Sequence, residues 1–132
     1  MNKTFFLTLE QILVLHEDQV DRYGGTSGLR DVGLLESAAF RPQTTFGGQE
    51  LYESLFDKAA SLMHSLILNH PFLDGNKRTG TTCALVFLEL NSYALSISQK
   101  ELVEAALKTA KKEWDLEQIA AWLEKNSKKL YF

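Results

Sequence analysis

Leu51-Tyr-Glu-Ser-Leu-Phe-Asp-Lys-Ala-Ala-Ser-Leu-Met-His-Ser-Leu-Ile-Leu-Asn-His70 runs into Pro71-Phe-Leu-Asp-Gly75 and then into Asn76-Lys-Arg-Thr-Gly-Thr-Thr-Cys-Ala-Leu-Val-Phe-Leu-Glu-Leu90. This is the pattern of two helices joined by a tight loop. In the first, Ala59, Met63, Leu66 and His70 recur at the i, i+4 and i+3 steps that place residues on one helical face. A helix is therefore predicted from about Leu51 to His70, stopped by Pro71, with Gly75 allowing a sharp turn. The second helix starts near Asn76. It is apolar almost all round from Cys83 to Leu90, as a central buried helix would be.

Outward from this pair the chain keeps reading as helix. Thr8-Leu-Glu-Gln11, Ser98-Gln-Lys-Glu101 and Asp115-Leu-Glu-Gln118 are capping boxes, each opening a helix. After the first box Leu9, Ile12, Leu13, His16 and Val20 form an apolar stripe that Tyr23-Gly-Gly-Thr-Ser-Gly28 ends. Asp31 is placed to cap a short helix carrying Leu34, Leu35, Ala38 and Ala39. Arg41 to Gln49, with Pro42 and Gly47-Gly48, reads as a loop or short hairpin, and Tyr93-Ala-Leu-Ser-Ile97 as a brief extended stretch. The last helix is expected to end before Asn126. The expected fold is all-α. Residues 1–132 form a single compact bundle of about six helices around a central buried helix, with a small loop or β-hairpin flap.

Composition narrows the functional classes. With 132 residues, 45% hydrophobic and 23% charged, the chain is of ordinary globular make-up. A net charge of −3 gives no electrostatic footprint for a nucleic-acid partner, which argues against nucleic-acid cleavage. Cys83 is the single cysteine and lies in an apolar run, so no internal disulfide is available and a reducing compartment is expected. The N-terminal apolar patch is broken by Glu10 and Gln11 and lacks a small-residue cleavage site. No run of 18 apolar residues occurs, so a cytoplasmic protein without a membrane association is expected.

The loop itself carries the chemistry. A loop that opens a helix presents free backbone N–H groups at the positive end of the helix dipole, which together make an anion site. Gly75 lets a ligand approach the backbone. Lys77 and Arg78 sit in the first turn, where the dipole disfavours cations, and a bound anion accounts for them better than solvation does. Arg suits a bidentate grip on phosphate, and Lys acts as a movable point charge. His70 can take a proton from an attacking hydroxyl at neutral pH. Asp74 is placed to hold a Mg²⁺ that bridges phosphate oxygens. Base, metal ligand and anion clamp are the parts of phosphoryl or nucleotidyl transfer. Neither a Walker A sequence nor a paired-glycine dinucleotide fingerprint is present. The other histidines read as structural: His16 as a core residue bonded to a carbonyl, His64 likewise. Phe72 reads as a buried wedge, and Phe46 as either an exposed aromatic that grips a partner or a packed loop anchor.

His70-Pro-Phe-Leu-Asp-Gly-Asn-Lys-Arg-Thr79 resembles the signature of the Fic/Doc family, and is most similar to its Doc, or death-on-curing, branch of toxins from toxin–antitoxin pairs. Arg22-Tyr-Gly-Gly25, Gly28-Leu-Arg-Asp31 and Leu34-Leu-Glu-Ser-Ala38 resemble the N-terminal half of that family. Arg41-Pro42 with Thr45-Phe-Gly47 sits where it carries a substrate-docking flap. The resemblance implies His70 as general base, Asp74 as Mg²⁺ ligand and Asn76 as a phosphate-binding side chain. It also implies that the backbone of Gly75 to Arg78, with the Arg78 guanidinium, binds the phosphates of ATP. Lys77 stands where AMP-transferring members have a second glycine, and in Doc-like members the nucleotide binds reversed. The resemblance thus implies a translation-arresting Ser/Thr protein kinase that uses ATP and Mg²⁺, with elongation factor Tu as protein substrate. An AMP transferase on the same scaffold and a non-catalytic antitoxin-binding corepressor are the alternatives. No S/T-x-x-x-E-G/N inhibitory pattern is found, so a separately encoded cognate antitoxin is expected.

Overall fold

The protein is described from a computed structural model covering residues 3–131. Met1, Asn2 and Phe132, assigned above to the same single domain, lie outside the described residues. Six α-helices are found among those residues: α1 Leu9–Tyr23, α2 Val32–Phe40, α3 Leu55–Asn69, α4 Asn76–Leu90, α5 Gln99–Ala110 and α6 Leu116–Lys125. A 3₁₀ turn, Arg41–Gln43, follows α2. Two small antiparallel ribbons complete the fold. Strands β1 Thr45–Phe46 and β2 Gln49–Glu50 form one, and β3 Tyr93–Leu95 with β4 Ser127–Lys129 the other. The fold is helical as the sequence patterns imply, and no described helix is long and apolar enough to cross a membrane.

The local signals act where they were read. Thr8, Ser98 and Asp115 all close two-way capping boxes, and Asp31 accepts from the Leu34 amide at the start of α2. Gly47 and Gly48, both with positive φ, turn the β1–β2 hairpin, which is the backbone geometry that two-residue hairpin loops favour. Helix α3 begins at Leu55 rather than Leu51, because Ser54 Oγ accepts from the Asp57 amide at 2.9 Å and caps it. The preceding carbonyls are already engaged: buried Lys58 donates from Nζ to Tyr52 O at 2.6 Å and Glu53 O at 3.0 Å. The pairing of β4 with β3 has no sequence counterpart, since Ser127-Lys-Lys129 is too short and polar to announce a strand.

Helix α3 is the centre of the bundle and packs against α2, α4, α5 and α6. Lys58 to Met63 and Ser65 to Ile67 are buried along it. Helix α4, read as buried almost all round, instead buries Cys83, Ala84, Phe87 and Leu88 and leaves Glu89 and Leu90 to solvent. The two helices cross closely at Gly80, where an added Cβ would stand 2.7 Å from Ile67 Cγ1 and 3.3 Å from Met63 O. Their common junction, residues 70–75, is thereby fixed at one end of the core.

Candidate functional site

Residue by residue, the 70–75 loop is held by partners outside it. His70 ends α3 in the left-handed region (φ 50°), and buried Pro71 turns the chain away. Segment 28–31 then braces the loop along its length. Leu73 N donates to Gly28 O at 3.0 Å, and the Arg30 and Asp31 amides donate to Pro71 O at 2.8 and 3.0 Å. The Arg30 guanidinium donates from Nε to His70 O at 2.6 Å and from Nη2 to Asn69 O at 2.8 Å, satisfying carbonyls that a helix end would leave open. Behind the loop, the Phe72 ring lies flat on the His16 ring, with centroids 3.7 Å apart and planes 4° from parallel.

Asn76 closes the loop from within. Its Oδ1 accepts from Phe72 N at 2.9 Å and its Nδ2 donates to Phe72 O at 3.0 Å. The side chain, buried in α4's first turn, is thus turned towards the loop backbone rather than outward. Gly75 follows Asp74 with φ 77° and precedes α4 as its N-cap. The other five helices described have a side-chain cap; α4 has none. In any α-helix the first-turn amides lack an intrahelical acceptor, so Asn76, Lys77 and Arg78 present their N–H groups outward. Lys77 and Arg78 side chains are exposed beside them, and the Arg78 guanidinium rests 4.4 Å over the Tyr23 ring.

Asp74 faces the same opening. Its Oδ1 accepts from Gly75 N at 2.8 Å and its Oδ2 from Thr26 N at 3.2 Å. These backbone donors, led by Thr26, hold the carboxyl below its ordinary range, with Lys77 and Arg78 adding to the effect. Gly25 makes the approach possible, since a Cβ there would lie 2.8 Å from Asp74 Oδ2. Both oxygens retain lone pairs for a cation. No group of three or more His, Cys, Asp or Glu side chains is gathered for a metal among the described residues. One carboxylate beside an anion site fits Mg²⁺ shared with phosphates, not a protein cage.

A cleft of about 220 Å³ opens from these groups. One wall is Asp74 to Arg78 with Gly24; the other is the apolar face of α5, including Leu102, Val103, Ala106 and Leu107. His70 stands outside that lining, exposed, on the α3 side of the loop. Its Nδ1 lies 3.3 Å from Leu68 O, and in the neutral tautomer that donates there Nε2 has a lone pair to offer.

All six residues picked from the sequence, His70, Asp74, Gly75, Asn76, Lys77 and Arg78, thus fall on one junction, with His70 at its rim. His16 bonds a carbonyl as a core histidine should, but the carbonyl is that of Asp74, at 2.7 Å. His64 meets Arg41 Nη1 at 3.0 Å, half-buried. Phe72 is the buried wedge, and Phe46 is 83% exposed at the hairpin tip, so it does not serve as a packed anchor. The sequence reading missed the supports: Tyr23, Gly25, Thr26 and Arg30. Only the run of glycines at 24, 25 and 28 hinted that backbone passes close to something there.

Comparison with known proteins follows the same lines. A family profile described as the Fic/DOC family matches residues 6–88. The chain is 41% identical over 103 residues to "Toxin Doc" of Mycolicibacterium smegmatis, covering 76% of this chain and 79% of that protein. It is 31% identical over 111 residues to "Protein kinase doc" of Escherichia phage P1, covering 84% of this chain and 86% of that one.

Proposed function

The chain belongs to the Fic/DOC family, and from that premise we propose that it is a toxin of a toxin–antitoxin pair which phosphorylates a protein. In this reading it moves the γ-phosphoryl group of ATP to a Ser or Thr hydroxyl, with elongation factor Tu as the target. The observation that carries the reading is the uncapped start of α4, with Lys77 and Arg78 beside it and the Asp74 carboxylate at the mouth of the same cleft. The names of the two relatives, a toxin and a protein kinase, support it.

Each residue then has a task. The amides of Asn76 to Arg78 and the Arg78 guanidinium bind phosphate oxygens, and Lys77 neutralises charge on the transferred group. The apolar α5 wall receives the nucleoside. Asp74, kept ionised, is the ligand for Mg²⁺, which when bound shields phosphate charge. Asn76 keeps the loop in shape. The hydroxyl oxygen of the target bonds to the γ-phosphorus as the bond to the β,γ-bridging oxygen breaks; His70 Nε2 takes the hydroxyl proton, and ADP leaves. The exposed Phe46 hairpin is a contact for the target protein. A separately encoded antitoxin restrains the toxin, and the cytoplasm is its place of action.

The test uses purified protein with elongation factor Tu and ATP labelled at either the γ or the α phosphate. Label from γ-ATP alone, on a Ser or Thr, is the expected result. Label from α-ATP would replace the kinase by an AMP transferase on the same residues.

A further inference from the structure

Resting on that reading, we infer that His16 is a positioning residue of the transfer site: it holds the Asp74–Gly75 peptide, and through that peptide the Asp74 carboxylate. His16 is only 2% exposed and lies on α1, an element to which neither the sequence reading nor the proposed mechanism assigns a site residue. Its Nε2 is 2.7 Å from Asp74 O. A carbonyl only accepts, so Nε2 must carry a proton and donate. Stacking on Phe72 fixes the plane of the ring, which leaves Nε2 one direction in which to point.

The peptide it grips is engaged at its other end as well. Gly75 N, in the same peptide unit, donates to Asp74 Oδ1 at 2.8 Å. A donor on the carbonyl oxygen draws electron density from the peptide nitrogen and strengthens its N–H as a donor, as linked hydrogen bonds do. His16, peptide and carboxylate form one chain, running from the core to a side chain that lines the cleft. Gly75 allows the peptide its setting by its left-handed backbone (φ 77°), and the space over its Cα is bounded by His16 at ordinary contact distance. Outer-shell donors of this kind orient ligand groups, and their loss commonly weakens metal binding by about 10- to 100-fold. A histidine placed merely to fill the core would have no effect on the carboxylate.

The experiment has three arms. Long-range ¹H–¹⁵N spectra of the full chain report which His16 nitrogen bears the proton; Nε2–H is expected, and an Nδ1–H tautomer would overturn the inference without any variant. The substitution His16→Phe keeps a flat ring for stacking and removes the donor. Its Gly75 amide proton should shift upfield as the bond to Asp74 Oδ1 slackens, and its affinity for ATP with Mg²⁺ should fall about tenfold, while affinity for ATP in chelator stays near that of the parent. An unmoved Gly75 resonance, or equal losses with and without Mg²⁺, would count against it. His16→Gln, whose amide can still donate, should hold the Gly75 resonance near the parent position whether or not His16→Phe folds, and a displaced resonance in folded His16→Gln would count against the inference. Should the parent protein bind no nucleotide, the proposed function fails, and the tautomer and Gly75 shift still decide whether His16 sets the carboxylate.

Discussion

His70 leaves α3 with a left-handed backbone and stands exposed, with Nδ1 3.3 Å from Leu68 O. Replacing it should therefore cost chemistry and not folding. His70→Ala is expected to lower transfer by about 10²- to 10⁴-fold, the usual worth of a general base, with an unchanged melting temperature. A rate assay beside a thermal melt separates the two, and a large drop in melting temperature would show a structural role. Gly25 makes the opposite case. Gly25→Ala would combine strain at φ 115° with a Cβ 2.8 Å from Asp74 Oδ2, so the carboxylate must shift and its 3.2 Å bond from Thr26 is disturbed. Weaker Mg²⁺-dependent nucleotide binding is expected, read by calorimetry with and without the metal. At this scale the sequence showed the reacting groups well, because His, Asp, Lys and Arg in one short run have few bland explanations. It could not show that Asn76 turns inward, since an amide serves a ligand or a backbone equally well.

Among elements, the α3–α4 crossing depends on the bare backbone of Gly80. Gly80→Ala must push Ile67 Cγ1 away from 2.7 Å, and the Met63 carbonyl lies just behind. A loss of about 1–3 kcal/mol is expected despite the better helix propensity of alanine, as for other overpacked cores. Denaturant unfolding measures it. The β1–β2 hairpin rests on Lys58, which is buried and ties Tyr52 O and Glu53 O to α3. Lys58→Met leaves both carbonyls without their donor, at a cost of about 1–3 kcal/mol if they stay buried. Helix starts were legible wherever a capping box marked them. The start of α3 was not, because Ser54 closes no box and the apolar character of Leu51 and Tyr52 continues the pattern upstream. Of the β3–β4 ribbon the extended stretch at Tyr93 was legible, but β4 and the pairing were not, because the partner Ser127–Lys129 is short, polar and far away in sequence.

For the molecule as a whole, titration of two groups sets distinct pH windows. Burial, helped by the Arg41 guanidinium and partly offset by Asp115, lowers the pKa of His64 from its ordinary 6.5. The unfolded chain then binds a proton more readily than the fold, so the His64 contribution is fully present above pH 6.5 and declines as pH falls towards its folded value. His64→Gln should flatten the fall in melting temperature between neutral and mildly acid pH. A slope equal to the parent's would show that other groups carry it. Asp74 acts lower: its depressed value means that the brace at Thr26 persists above the ordinary 3.8 and is lost only in more acid solution. The all-α class and the place of the site were readable because both lie in the α3–α4 pair. What holds the site in shape was not, because it comes from α1 and residues 24–31, and sequence distance hides such contacts.

The bracing of residues 70–75 has a consequence for proton exchange with solvent. The Phe72, Leu73 and Gly75 amides are bonded, to Asn76 Oδ1, Gly28 O and Asp74 Oδ1 respectively, whereas the opening turn of α4 offers its amides to water. The familiar ranking is inverted here: the connecting loop should take up deuterium slowly, and the beginning of the helix quickly. An anion seated on that helix should erase the contrast by slowing Asn76, Lys77 and Arg78 alone. The loop is the rigid part of this junction, and the helix end is the part left waiting for a partner.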